Sequence, residues 1–182
     1  MAIRSDRFLE VQASADVPDV PFCSHQEKDL WCWAACIQMV RFAKSGQLPP
    51  QCRVVADAFP EFANQRIDCC HDPFNDCHQS CRDGRVPDAF RGNGATALEV
   101  PLRNLTLAWI RTVVSPGGWV AVGWEGGTSS HMVLVIRASP TADVLGICDP
   151  DRFAVTWKPL VWLQEPDDRF TGWRAAKVWQ VT

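Results

Sequence analysis

The spacing of apolar residues indicates one strong helix early in the chain. Between Trp31 and Lys44 they recur at intervals of three and four residues, and Gly46 follows as a stop signal. Asp29 stands where an N-cap residue would accept from the first backbone N–H groups. Cys32 is therefore expected in the first turn of this helix.

In the last third of the chain the spacing of apolar residues changes to two, which is typical of half-buried strands. Strands are predicted at 119–124, 131–138 and 143–148, with further short ones up to Val181. A glycine-rich turn over 125–130 joins the first two, and shorter helices are predicted over 52–59 and 102–114. Helices followed by an antiparallel sheet predict an α+β fold, in one domain spanning 1–182.

Two segments show neither the helical nor the strand spacing of apolar residues. Residues 1–25 are predicted to be an extended lead-in, and residues 64–94 an irregular cysteine-rich insertion. The chain has nine cysteines; with one set aside as a reactive thiol, eight remain for up to four bridges, whose pairing the sequence does not fix. Disulfides would place the working protein outside a reducing cytosol.

The cysteine-rich insertion also allows a zinc site. Its four cysteines and two histidines could supply tetrahedral ligands. The spacing, however, contains no paired C-x2-C arrangement, and adjacent cysteines are awkward ligands for one metal. The residues concerned are Cys69, Cys70, His71, Cys77, His78 and Cys81. Disulfides are favoured, while reduced thiols and zinc stay open.

Composition and charge narrow the function classes. A net charge of −3 argues against a nucleic-acid-binding protein, which normally carries a basic face. No stretch reaches the roughly 20 apolar residues that span a membrane. The N-terminus shows no secretory signal, so export would need a trimmed signal or a route without one.

Three residues have the order and setting of a thiol nucleophile, its base and an orienting carboxylate. Cys32 at a helix start lies in the partial positive charge of the helix dipole, which favours a thiolate. His131 opens a strand directly after the glycine-rich turn, and Asp149 follows the next strand. In an antiparallel hairpin the end of the second strand lies beside the start of the first, so the carboxylate can orient the imidazole. Asp149 could instead be only a turn residue, with Asp151 as the alternative third member.

Acyl transfer also needs hydrogen-bond donors aimed at the developing oxyanion. The backbone N–H of Cys32 is one, and the side-chain amide of Gln26 is a candidate for the second. Four further residues are predicted to line the substrate groove: Trp33, Trp124, Gly126 and Gly127. Core packing is an equally good explanation of the two tryptophans, and Gln26 could be an ordinary surface residue.

These motifs resemble the papain-like cysteine peptidases. The resemblance is closest to their compact bacterial branch, the C39-like peptidases and the AvrRpt2-type effector proteases of plant pathogens. The matching features are Gln26 six residues before Cys32, the Cys32-Trp-Ala-Ala-Cys36 run, the His131-Met-Val-Leu-Val135 strand and the Asp149-Pro150 turn, with Asp68-Cys69-Cys70 between them. Plant-type papains have Gly-Ser before the cysteine and usually Asn as third member, and lysosomal relatives carry a long pro-segment. The chain departs from those relatives at each of these points.

The resemblance implies a papain-like fold, in which the nucleophile helix packs on the C-terminal sheet. It also implies a cysteine endopeptidase that works through a thioester, with Cys32 as nucleophile, His131 as base and acid, Asp149 as orienting residue and Gln26 as oxyanion donor. The expected partner is a protein or peptide, with a narrow groove that accepts glycine, and no cofactor or metal. A secreted effector or toxin, delivered into another cell, would also meet an immunity or inhibitor protein. Amidase, deamidase or transglutaminase chemistry on the same triad stays open, as does a non-enzymatic cysteine-rich binding module.

Overall fold

The computed structural model describes residues 22–71, 77–81, 83–127, 129–152, 154–166 and 170–182. Within them the helices are α1 (Cys32–Ser45), α2 (Gln51–Ala58), α3 (Pro60–Asn64), α4 (Val86–Gly92), α5 (Leu107–Val114) and α6 (Leu160–Gln164). The strands are β1 (Ala97–Val100), β2 (Trp119–Gly126), β3 (Ser129–Ala138), β4 (Val144–Cys148), β5 (Val155–Pro159) and β6 (Arg174–Val181). The predicted α+β class is confirmed.

The strands form one antiparallel sheet in the order β1-β6-β2-β3-β4-β5. Four of them, β2-β3-β4-β5, follow one another as antiparallel neighbours, and the alternating segments predicted the first three. The last strand, β6, returns to lie between β1 and β2. This central insertion could not be predicted from the local pattern, because it pairs residues far apart in sequence.

Helices cover both faces of the sheet. The core on one face includes side chains of α1, α2 and α4, and the core on the other face includes side chains of α5 and α6. Strand β3 serves both cores, since side chains along a strand point alternately to opposite faces. Its Met132, Leu134 and Ile136 join the first core, and Val133 and Val135 the second.

The first helix agrees with its prediction except at its cap. Gly46 ends α1 in the left-handed region, at φ 69°, and donates to Phe42 O (2.7 Å). The prediction that Asp29 caps the helix is wrong, because Trp31 holds the N-cap position and no side chain caps it. Asp29 is two residues too early, and its carbonyl accepts from the side chain of Gln26.

Two other predicted segments also need correction. The helix predicted over 102–114 starts only at Leu107, where Thr106 accepts from the N–H of Trp109 (3.2 Å), and residues 102–104 form a 3₁₀ turn. The segment 64–94 is not irregular throughout, because α4 lies within it. The buried residues of α4 are Val86, Ala89 and Phe90, at spacings of three and four. That period was hidden by the polar residues around it.

Three disulfides join Cys23–Cys148, Cys52–Cys70 and Cys69–Cys77. The predicted maximum of four disulfides is therefore not reached, since Cys32, Cys36 and Cys81 take part in none of these bonds. The zinc alternative is wrong here because three of its four thiols are bridged. The bridges are compatible with a protein that works outside a reducing cytosol.

The predicted lead-in over 1–25 falls mostly outside the described residues; its described part, 22–25, contains neither helix nor strand. Among the described residues, no helix is both long enough and apolar enough to cross a membrane.

Candidate active site

Cys32 is the first residue of α1 and is buried. The first backbone N–H with an acceptor inside the helix is that of Ala35, which donates to Trp31 O (3.0 Å). The N–H groups of residues 32–34 therefore precede the helical ladder and point out of the N-terminal end of the helix. This position supplies both partial positive charge and hydrogen-bond donors to a group bound at Cys32.

His131 lies on β3, opposite Trp124 of β2, and is 6% exposed. It is the third residue of the strand rather than its first, since β3 starts at Ser129. The ring of Phe170 stacks on the imidazole, with centroids 4.8 Å apart and planes 18° apart. Phe170 was not predicted as a site residue, because nothing in the local sequence places it beside a histidine nearly forty residues away.

Asp149 follows β4 directly and is fully buried. Its Oδ1 accepts from His131 Nε2 (2.7 Å) and from the backbone N–H of Asp151 (3.0 Å), while Arg152 Nε lies 3.7 Å from Oδ2. The last β3–β4 pair is Leu134 with Cys148, so Asp149 comes diagonal to His131. The proximity that the hairpin argument predicted is confirmed. Asp151 contributes its backbone to the site.

The imidazole of His131 interacts with both Asp149 and Cys32. Its Nε2 is hydrogen-bonded to Asp149 Oδ1 (2.7 Å), and the side chain of Cys32 lines the same cavity as the ring. Burial lowers the pKa of His131, but the interactions of the ring with Asp149 and Cys32 outweigh it and raise that pKa to about 10. The site therefore favours an imidazolium held against the Asp149 carboxylate.

Cys36, one turn further along α1, differs sharply from Cys32. Burial raises the pKa of the Cys36 thiol well above its ordinary value, and the charges of Cys32 and Asp149 raise it further. Its Sγ–H donates to Met132 O (3.6 Å) and so links α1 to β3. Cys36 is thus a neutral core thiol, in agreement with the prediction that it is a core or disulfide residue.

Gln26 lies next to the residue that follows Asp149, because its N–H donates to Pro150 O (2.8 Å). Its side-chain Nε2 donates one hydrogen to Asp29 O (3.0 Å), and an amide nitrogen carries a second hydrogen. Its Oε1 is buried without a hydrogen-bond partner among the described residues. Gln26 is therefore held in place by its neighbours rather than being an ordinary surface glutamine.

A buried glutamine fixes the strap, defined as residues 23–27, against the helices. Gln51, at the start of α2, is 1% exposed; its Nε2 donates to His25 O (2.7 Å) and its Oε1 accepts from Glu27 N (2.9 Å). Ser24 Oγ donates to Gln38 of α1. Sequence analysis missed Gln51 because a glutamine in a helix is usually solvated, and only tertiary packing buries it.

A cavity opens beside Cys32 and His131. The residues lining it come from α1, the cysteine-rich segment and the ends of β2, β3 and β6. They are Cys32, Trp33, Ser80, Cys81, Gly123, Trp124, Glu125, Ser130, His131, Met132, Ala176 and Trp179. The side chains of Cys32 and His131 thus line one shared cavity.

The four residues predicted to line the groove fall into two groups. Trp33 and Trp124 line this cavity, but both are buried and each also donates its indole N–H to a backbone carbonyl, Gln79 O (3.2 Å) and Leu163 O (2.7 Å) respectively. Both tryptophans are therefore packed in the core as well as facing the cavity. Gly126 and Gly127 do not line it.

The two glycines serve the β2–β3 hairpin. A Cβ on Gly126 would lie 2.2 Å from the Trp173 indole, and Gly127 has a φ of 62°, in the left-handed region. Both positions therefore require glycine for steric or conformational reasons that do not involve a substrate.

Only one group of described side chains could offer three or more metal ligands: His131, Asp149 and Asp151, whose ligand atoms lie within 4.8 Å of one another. Two of these are already hydrogen-bonded to each other. Chain comparisons add no family assignment, since no protein-family model matches the chain and no curated protein matches it.

Proposed function

We propose that this chain is a papain-like cysteine peptidase in which Cys32, His131 and Asp149 form the triad. One observation carries the proposal: the His131 imidazole is hydrogen-bonded to a buried carboxylate and shares a cavity with the thiol of Cys32, which lies at a helix start. Such a relay activates a cysteine nucleophile and supplies the proton that a leaving amine needs.

In the proposed reaction the Cys32 thiolate attacks a peptide carbonyl carbon, and the carbonyl oxygen becomes an oxyanion. The backbone N–H of Cys32 and the amide of Gln26 stabilise that charge. The imidazolium of His131 protonates the leaving amine as the C–N bond breaks, which leaves a thioester on Cys32. His131 then takes a proton from water, and the resulting hydroxide releases the carboxylic acid and restores the thiol.

Asp149 orients the imidazole and stabilises its cation throughout. It is fully buried and accepts from both His131 and the N–H of Asp151, so its position is fixed from two sides. The structure supports Asp149 over Asp151 as third member on this ground. The three disulfides are compatible with a secreted enzyme, and an effector or toxin is the version of it that we propose.

Alkylation by iodoacetamide tests the activated thiol. Cys32 should react faster at neutral pH than Cys36 and Cys81, and His131→Ala should remove that advantage. His71→Ala, which changes an exposed histidine of the cysteine-rich segment, is the matched control and should leave the rate unchanged. Equal and slow labelling of all three thiols in every protein would overturn the enzyme proposal and favour a binding module.

Mapping of new N-termini in a proteome separates peptidase from other acyl-transfer chemistry. The wild-type protein should create N-termini that are absent with Cys32→Ser. An activated Cys32 without any such N-termini would assign the triad to amidase, deamidase or transglutaminase chemistry, which shares every step up to the thioester.

A further inference from the structure

We propose that the Cys23–Cys148 disulfide is a positioning element of the active site, which holds the strap and its Gln26 amide in place for oxyanion stabilisation. This inference rests on the proposed function. It adds that turnover depends on the oxidised state of one particular bridge, whereas activation of the Cys32 thiol does not.

The Cys23–Cys148 bridge joins the strap to the end of β4. Cys148 is the last residue of β4, and the next residue is Asp149. Its partner, Cys23, comes three residues before Gln26, and the two cysteines are 125 residues apart in sequence. The bridge therefore ties the strap to the strand end that carries the orienting carboxylate.

The hydrogen bonds show a second attachment across the same junction. Gln26 N donates to Pro150 O (2.8 Å), so the strap is fixed to the β4 end both before and after Asp149. On its other side the strap is held by polar contacts that include two hydrogen bonds of Gln51, and Cys23 packs against the core. The strap has no helix or strand of its own, so these few bonds decide where Gln26 lies.

The two ends of the bridge differ in how much they depend on it. Asp149 is held by the β3–β4 ladder, the N–H of Asp151 and the His131 bond, all of which remain when the bridge is broken. Gln26 loses the covalent half of its attachment. Breaking the bridge should therefore displace the oxyanion donor and leave the Cys32–His131–Asp149 relay in place.

Two reagents separate these effects. Iodoacetamide alkylates a thiolate by displacement of iodide and forms no oxyanion, so its rate reports on the relay. Acylation by p-nitrophenyl acetate passes through an oxyanion and releases p-nitrophenolate, so its rate also reports on the strap. In the double variant Cys23→Ser/Cys148→Ser we expect acylation to fall 10- to 100-fold and alkylation of Cys32 to change less than threefold.

The matched control is Cys52→Ser/Cys70→Ser, whose bridge joins α2 to the cysteine-rich segment and bonds to no strap residue. It should keep acylation within twofold of wild type. Gln26→Ala gives the decisive comparison: it should slow acylation at least tenfold when the Cys23–Cys148 bridge is present and less than threefold when it is absent. A purely structural bridge would leave the Gln26→Ala effect equal in both backgrounds.

Partial reduction covers the case in which the double variant does not fold. Dithiothreitol attacks the bridge, forms a mixed disulfide and cyclises, which leaves Cys23 and Cys148 as thiols and the reagent oxidised. The rate of acylation should fall in step with loss of this bridge. Differential alkylation and peptide mass spectrometry measure how much of the bridge has been lost. Acylation that persists after its loss, or an unchanged Gln26→Ala effect, would overturn the inference. If wild-type Cys32 shows no His131-dependent alkylation, the proposed function itself fails, which is a separate result.

Discussion

Replacement of Asp149 by asparagine removes one negative charge from the relay while keeping an oxygen that can accept from His131 Nε2. The carboxylate is fully buried and lies 2.7 Å from that nitrogen. It is one of the two groups that raise the pKa of His131 from 6.5 to about 10. That rise corresponds to about 5 kcal/mol in favour of the imidazolium, at ~1.4 kcal/mol for each pKa unit.

Without the carboxylate, burial opposes the cation with only Cys32 to compensate, so the pKa of His131 should fall back towards its ordinary value of 6.5. An imidazole with that pKa is ionised in only about one molecule in ten at pH 7.5. The fraction of molecules with an imidazolium to pair with the Cys32 thiolate therefore falls about tenfold, and alkylation of Cys32 in Asp149→Asn should slow by a similar factor at that pH.

The assay is the iodoacetamide rate from pH 6 to 10, with the labelled peptide identified as that of Cys32. The deficit of Asp149→Asn should close above about pH 9, where an ordinary thiol is ionised without a partner. Asp143→Asn is the control because Asp143 lies in the same hairpin with its side chain 89% exposed, and it should match wild type. Equal rates for Asp149→Asn and wild type at pH 7.5 would refute the role given to Asp149. A deficit found only in Asp151→Asn would transfer that role to Asp151.

Three further predictions concern the surroundings of the triad. The raised pKa of His131 stabilises the folded protein fully below about pH 6.5, and this contribution is lost as pH rises towards 10. Urea unfolding should therefore show a free energy of unfolding that falls across that window, and His131→Gln should remove most of the slope. Phe170→Leu removes the ring stacked on the imidazole; it should slow alkylation severalfold, whereas a rate equal to wild type would make Phe170 a packing residue only. Trp33→Phe removes the indole N–H that donates to Gln79 O. The segment that contains Gln79 then loses one hydrogen bond, so the KM for a protein substrate should rise with little change in kcat. An unchanged KM would contradict this role of Trp33.

Much of the proposed triad followed from short-range patterns. The three- and four-residue period predicted the helix that carries Cys32, and the hairpin order placed Asp149 beside His131. Both arguments depend on elements that are neighbours in the sequence, where the period of a helix and the return of a hairpin constrain geometry directly. Even so, Asp29 was assigned the wrong role, because cap preference is weak compared with the path that the incoming chain takes.

The sequence alone thus determined the α+β class, the helix that carries Cys32 and the His131–Asp149 pair. Tertiary structure decided the pairing of Cys23 with Cys148, the burial of Gln51 and the stacking of Phe170 on His131. These contacts join residues from about 25 to 125 positions apart, and no local period favours one such pairing over another. They form only when segments distant in sequence are brought together by the complete fold, which is why Cys32 could be predicted as the proposed nucleophile while the elements that hold Gln26 could not.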